Sequence, residues 1–257
     1  MKPPLPNSSY NPTLGELTTC LQMDYAKLVD SFFDKKVLLI GGSKSADSLD
    51  YGEFSPYEYK VIQVNDHILR RPTHRCDWLV MRSGCGMTAE IVAALPQFRN
   101  IQTVSTACNK RLFADLFHSL PACVVPFFDG RYAKVNPFHP ALEWCNQLWH
   151  EINSTPLTGL IALKMAQLLP VSEIRMVGFD FWYDKKKGFQ NMRDACHYMP
   201  NQIAWFKHQY HTDFRIEIED SLKEQLKIGG RGVFHTVKAD TEWSHLPSSL
   251  SNAITPG

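Results

Sequence analysis

No apolar run in this chain reaches the ~18 residues that a membrane-spanning helix needs. The first residues, Met1 to Pro12, are rich in proline where a secretory leader would carry an apolar core. A soluble, cytoplasmic protein is therefore the expectation. Charge of one sign is lacking too: the net charge of +1 gives no electrostatic case for nucleic acid as the main partner, although a balanced total can conceal a local basic patch. The seven cysteines, Cys20, Cys76, Cys85, Cys108, Cys123, Cys145 and Cys196, are odd in number and never fall as C-x-x-C. Such scatter suits reduced thiols rather than a disulfide framework or a zinc site. A Pro/Gly/Ser-rich central linker, an internal repeat and a low-complexity segment are all missing, so the 257 residues read as one domain with a full core. Hydrophobic content of 44% and charged content of 21% belong to an ordinary globular protein, which leaves disorder to the ends.

What is present is an alternation of strand-length and helix-length patterns. Leu14, Leu17, Leu21, Tyr25, Leu28 and Phe32 recur at helical spacing and predict a lead-in packing helix. Lys36 to Ile40 (KVLLI) is a continuous apolar run, as expected of a strand buried on both faces, and Gly41-Gly42-Ser43-Lys44-Ser45 follows it. A strand followed by glycines opens many nucleotide-binding domains, yet this one matches neither G-x-G-x-x-G nor the Walker pattern. A tight turn needing glycine for its backbone angles is the alternative. Tyr59 to Val64 predicts a second strand ending in Asn65-Asp66-His67, and Asp77 to Met81 a third ending at Arg82-Ser83-Gly84. Polar groups directly after buried strands lie at the sheet's carboxyl edge, where α/β proteins bind ligands. For Arg82 a surface ion pair is the alternative. Residues 87–95 and 111–120 read as helices, and 101–104 and 122–128 as strands. A helix carrying Leu142, Trp144, Cys145, Leu148, Trp149 and Ile152 comes next, its tryptophans facing the interior.

The stretch with most chemistry starts at Ser154-Thr155-Pro156-Leu157-Thr158-Gly159. It opens an apolar helix that Pro170 stops, and the strand Ile174 to Gly178 then runs into Phe179-Asp180-Phe181-Trp182-Tyr183. Unpaired N–H groups and partial positive charge at a helix N-terminus place Thr158 and Gly159 to hold an anion such as a phosphate. Asp180 either caps a nearby loop or serves the site by orienting a base or binding an acceptor. Residues 184–191, polar and carrying three lysines, read as a lid or as a solvated loop. His197-Tyr198, a helix with Ile203, Trp205, Phe206 and Tyr210, the strand Phe214 to Ile218 and a short helix from Ser221 complete the pattern. Strands alternating with helices predict one mostly parallel, Rossmann-like sheet with helices on both faces. The boundaries are an N-terminal extension and packing helix over 1–35, the α/β domain over 36–228 with a lid at about 183–197, and a tail over 229–257.

In order and spacing these blocks resemble the small bacterial sialyltransferases of glycosyltransferase family 42 and, more distantly, the sialyl motifs of family 29. Lys36 to Tyr51 is similar to that family's first strand, G-N-G-P-S loop and I-D-Y, with Asp50-Tyr51 kept. Asn65 stands where the second strand ends in Asn-Gln. Thr158-Gly159 and Gly178-Phe179-Asp180-Phe181 match T-S-G and G-I-D-F, and His197 falls in the segment that bears the catalytic histidine. The resemblance implies a GT-A-type variant of the Rossmann-like fold and inverting transfer from a CMP-activated sugar to a glycan acceptor, with no essential divalent metal or other cofactor. It assigns Gly41, Gly42, Ser43, Asn65, Asp66, Arg82, Thr158, Gly159, Trp182 and Tyr198 to the nucleotide-sugar site. On the same resemblance His197 is the general base, with Asp180 and Tyr183 as the other catalytic residues; a structural or surface histidine is the alternative for His197. A histidine, with its ordinary pKa of about 6.5, accepts a proton near neutral pH. Tyr183, Tyr198 and the N–H groups at Thr158-Gly159 would face the leaving phosphate.

Departures from the pattern leave the donor sugar open. Gly42 and Lys44 replace the loop asparagine and proline, Thr155 replaces the arginine ahead of T-S-G, and Trp182 replaces a tyrosine. Gln202 stands five residues after His197 in place of an acid. Three readings stay open: this transferase, one of the same fold with another nucleotide sugar and acceptor, or a silent nucleotide-binding protein. In the second, a modified nucleic-acid base could be the acceptor, with Lys44, Arg70, Arg71, Arg75, Arg82 and Lys185 to Lys187 meeting the backbone. Peripheral membrane association and a homo-oligomer are likewise open.

Overall fold

The computed structural model describes residues 26–65, 67–70, 75–81, 103–107, 123–127, 143–181, 183–184, 188–189 and 198–229. Nine strands are present among them: β1 (Lys36–Ile40), β2 (Tyr59–Val64), β3 (Trp78–Met81), β4 (Thr103–Ala107), β5 (Cys123–Phe127), β6 (Glu173–Val177), β7 (Tyr183–Asp184), β8 (Gly188–Phe189) and β9 (Ile216–Ile218). Seven form one sheet in the order β5-β4-β3-β2-β1-β6-β9, and every pairing in it is parallel. The short β7 and β8 pair antiparallel in a separate ribbon.

β1 lies inside the sheet, and its sequence shows why. Val37, Leu38, Leu39 and Ile40 are all fully buried, because a strand with parallel neighbours and covered faces has no solvent side. Alternate side chains enter different cores. Val37 and Leu39 join the larger cluster with Leu28 and Phe32 of the helical residues 26–32 (α1), while Leu38 and Ile40 join Ala46, Phe54, Tyr59, Val61 and Val177. Phe32 meets Trp78 edge to face at 5.7 Å across the larger core.

The other α-helices among the described residues are α2 (His67–Arg70), α3 (Glu143–Ile152), α4 (Thr158–Gln167), α5 (Met199–Thr212) and α6 (Asp220–Leu226). α4 is apolar nearly all round, with Leu160 to Leu163 buried, since it lies flat against the sheet. β9 is shorter than the apolar pattern predicts. The Asp213 carboxylate accepts from the Arg215 backbone N–H at 3.1 Å and from its Nε at 2.9 Å, which turns the chain and leaves Phe214 exposed outside the strand. The expected helices at 87–95 and 111–120 lie outside the described residues. No described helix is long and apolar enough to cross a membrane.

Candidate functional site at the strand-order reversal

From β1 the chain builds the sheet in one direction through β5, then returns to place β6 on the other side of β1. Loops leaving β1 and β6 must therefore diverge, and that reversal is where parallel α/β sheets open a ligand crevice at their carboxyl ends. Gly41 follows β1 and Gly178 follows β6. The Gly41 N–H donates to the Val177 carbonyl at 2.8 Å, and the Ser43 N–H donates to the Gly178 carbonyl at 2.9 Å.

The glycines here have specific causes. A Cβ on Gly41 would lie 2.3 Å from the Gly178 carbonyl oxygen and 3.2 Å from the Phe179 ring. Close backbone approach, rather than unusual backbone angles, thus excludes a side chain at Gly41. At Gly178 the angle does matter: φ is +76°, and a Cβ would meet that of Ala46 at 2.7 Å. Gly159, in the first turn of α4, faces the other side of the same aromatic ring, with Phe179 Cε1 2.5 Å from where its Cβ would be. Phe179 is therefore wedged between Gly41 and Gly159, and it draws the loop after β1, the loop after β6 and the start of α4 to one place.

The N–H groups of Thr158 and Gly159 have no acceptor among the described residues, since α4's own bonds begin with Leu160 and Ile161 donating to Leu157. Behind them stands Gln202 of α5, fully buried. Its Nε2 donates to Ser154 Oγ at 2.7 Å and to the Thr155 carbonyl at 2.9 Å, and its Oε1 accepts from the Leu157 N–H at 3.1 Å. The residue that occupies the place of an acid in the resemblance is thus a strut for the turn that starts α4.

Asn65 ends β2 in the left-handed region at φ 52°, which asparagine tolerates better than most residues, and its N–H donates to the Val80 carbonyl. Phe181 is also left-handed at φ 49°, an uncommon state for a large side chain. Its ring is buried against Phe206, with centroids 5.1 Å apart, so packing holds the chain in this bend directly after Asp180. Asp180 itself is half-buried. Tyr198 precedes α5 at the same edge and is exposed.

Arg70 takes a role the sequence does not reveal. Its Nη2 donates to the Gly42 carbonyl at 2.7 Å and its Nη1 reaches Asp47 at 3.3 Å, so it holds the loop after β1. The buried His67 lies beside this pair, with Nδ1 3.4 Å from Arg70 and 3.9 Å from Asp47. Asp50 of the matched I-D-Y accepts from the Gly52 N–H at 2.8 Å and so caps its own turn. Burial, and then the nearby Cys76, pushes the Tyr51 hydroxyl well above its ordinary pKa.

Of the residues singled out in the sequence, Gly41, Gly42, Ser43, Asn65, Thr158, Gly159, Asp180 and Tyr198 thus lie along the carboxyl edge. Tyr183 is in the small ribbon opposite Phe189, so the described part of the expected lid is two short strands. Asp66, Arg82, Trp182 and His197 lie outside the described residues. No group of three or more His, Cys, Asp or Glu that could hold a metal occurs among the described residues.

No protein-family model matches the chain, and no curated protein does. Among solved structures, it is similar to an alpha-2,3-sialyltransferase from Campylobacter jejuni in apo form. That likeness has a TM-score of 0.46 and 15% identity over 72% of this chain and 75% of that one. It is also similar to the sialyltransferase CstII from the same organism in complex with a substrate analogue, cytidine-5'-monophosphate. The TM-score there is 0.43, with 16% identity over 72% of this chain and 79% of that one.

Proposed function

We propose that the chain is an inverting, sialyltransferase-like glycosyltransferase that moves a sugar from a CMP-activated donor to a glycan hydroxyl. The observation that carries this reading is the reversal of strand order between β1 and β6. It gathers Gly41 to Ser43, Asn65, Thr158-Gly159 and Gly178 to Asp180 on one edge, and these are the segments in which the sequence resembles family 42. The N–H groups of Thr158 and Gly159, which have no acceptor among the described residues, receive the phosphate, where fixed donors and the helix dipole stabilise charge on the leaving group. The loop after β1, with Asn65 and Asp66, holds the nucleotide, joined by Arg82, Trp182 and Tyr198. His197 removes the acceptor proton, oriented by Asp180, while Tyr183 donates to the departing phosphate.

Thermal stabilisation by nucleotides tests the reading. CMP at a hundredfold excess over its Kd adds about 2.7 kcal/mol to a protein that binds it only when folded. For a domain of this size that is a rise in Tm of about 5–10 °C. CMP is expected to outperform UDP, GDP and ADP, and His197→Ala is expected to keep the CMP shift while losing transfer from CMP-sugars. A selective shift with UDP discards the CMP donor. No shift with any nucleotide discards the transferase reading.

A further inference from the structure

Glu219 belongs to none of the segments that the sequence singles out, yet it reaches the strand-order reversal. It follows β9 and stands at the N-cap position of α6, where its carbonyl accepts from the Leu222 and Lys223 N–H groups. An acid there would ordinarily serve its own helix, but the Glu219 side chain makes no cap bond. It turns instead across the end of β6. Its Oε2 accepts from the Gly178 N–H at 2.9 Å and from Ser45 Oγ at 3.3 Å.

These two donors lie on different sides of the crevice. Gly178 begins the loop after β6, and Ser45 lies in the loop after β1, whose opposite flank Arg70 holds through Gly42 and Asp47. The loop after β1 is thus held from the β2 side by a cation and from the β9 side by an anion. A positive-φ glycine turns freely unless its neighbours fix it, and at Gly178 the Ser43 N–H holds the carbonyl while Glu219 holds the amide.

We propose that Glu219 is a positioning residue for the nucleotide. It fixes the Gly178 amide and, through Ser45, sets the distance between the loop after β1 and the start of the segment that carries Asp180. The inference rests on the nucleotide-binding reading above. Both bonds need only an acceptor, so the carbonyl of glutamine can make them, more weakly than a carboxylate. Glu219→Ala removes the acceptor while Arg70 still pins the other flank, so the domain remains folded.

The test is CMP affinity by calorimetry well below Tm for wild type, Glu219→Ala, Glu219→Gln and Ser45→Ala, with hydrogen exchange at the Gly178 amide measured without ligand. Glu219→Ala is expected to weaken CMP about tenfold, equal to about 1.4 kcal/mol. Glu219→Gln should weaken CMP by no more than about threefold, because a neutral acceptor keeps both bonds in weaker form. Ser45→Ala should fall between them. Gly178 protection should drop in the alanine variant and persist in the glutamine variant. Wild-type affinity in Glu219→Ala overturns the proposal, and so does a glutamine variant as weak as the alanine one, since the charge would then act on the ligand directly. A wild-type protein that binds no CMP overturns the nucleotide reading. Exchange at Gly178 then decides the latch alone, and unchanged protection in Glu219→Ala removes that as well.

Discussion

Gly41→Ala is the substitution for which the structure makes its sharpest demand. The new methyl carbon would stand 2.3 Å from the Gly178 carbonyl oxygen, well inside van der Waals contact, and 3.2 Å from Phe179 Cδ2. A side-chain obstacle could rotate away, but the first of these atoms is backbone. It is held by the Ser43 N–H, and the same strand end is held by the Gly41 N–H on Val177. Relief requires β1 and β6 to part at their carboxyl ends, which lengthens both bonds. Overpacking together with the weakened pair costs about 3–5 kcal/mol. Urea unfolding followed by tryptophan fluorescence and circular dichroism should show that loss as a lower midpoint at unchanged slope, with Tm down by about 6–20 °C. Gly52→Ala is the control, since a Cβ there meets only the exposed Asp50 carboxylate at 3.1 Å, and it should stay within about 0.5 kcal/mol of wild type. A Gly41→Ala protein as stable as the control would refute the close approach of the two strand ends.

Two further outcomes follow from individual side chains. Gln202→Ala strips three bonds from the turn at residues 154–157 and leaves buried groups without partners, so stability should fall by about 2–4 kcal/mol in the same urea assay. Asp213 gives a pH dependence. Burial pushes its carboxyl up, but hydrogen bonds from the Arg215 and Gln167 side chains and the Arg215 backbone more than offset this and hold it below the ordinary carboxylate range. Because the folded pKa is the lower one, the unfolded chain takes up the proton first as pH falls. The stabilisation is therefore complete above the unfolded value of about 3.9 and is lost below it. Asp213→Asn should lower stability at pH 7 and flatten its decline between pH 5 and 3, read from urea midpoints across that range.

β1 and β2 were legible because their chemistry is local. KVLLI and the apolar part of YKVIQV are buried on both faces, and the observed β1 and β2 begin and end where those runs do. The positions of Gly41, Asn65 and Thr158 at one edge also follow from strand and helix polarity alone. What the sequence could not show is which strands are neighbours. The meaning of Gly41 depends on Gly178 lying beside it, and the apolar run that precedes Gly41 reads the same with or without that neighbour. Gln202, Arg70 and Glu219 were illegible as struts for the same reason, since each holds a segment far away in sequence. Glu219 was further hidden by its context, where IEIED reads as the charged end of a strand. The one available signal was a polar residue just past a strand's carboxyl end, the same signal that pointed to Asn65.

The pairing of β1 with β6 joins Lys36 to Glu173, residues separated by more than half the chain. β1, β2 and β3 follow one another closely and pair in sequence order, so they can associate while the rest of the polypeptide is still being made. The contacts that wedge Phe179 between two glycines have to wait for the distal segments to emerge and for a long loop to close. Assembly of the crevice is thus expected to come late in folding. Until it happens, one side of β1 presents an open strand edge, and substitutions at Gly41, Gly178 or Glu219 would lengthen the time that the nascent chain spends exposed to mispairing.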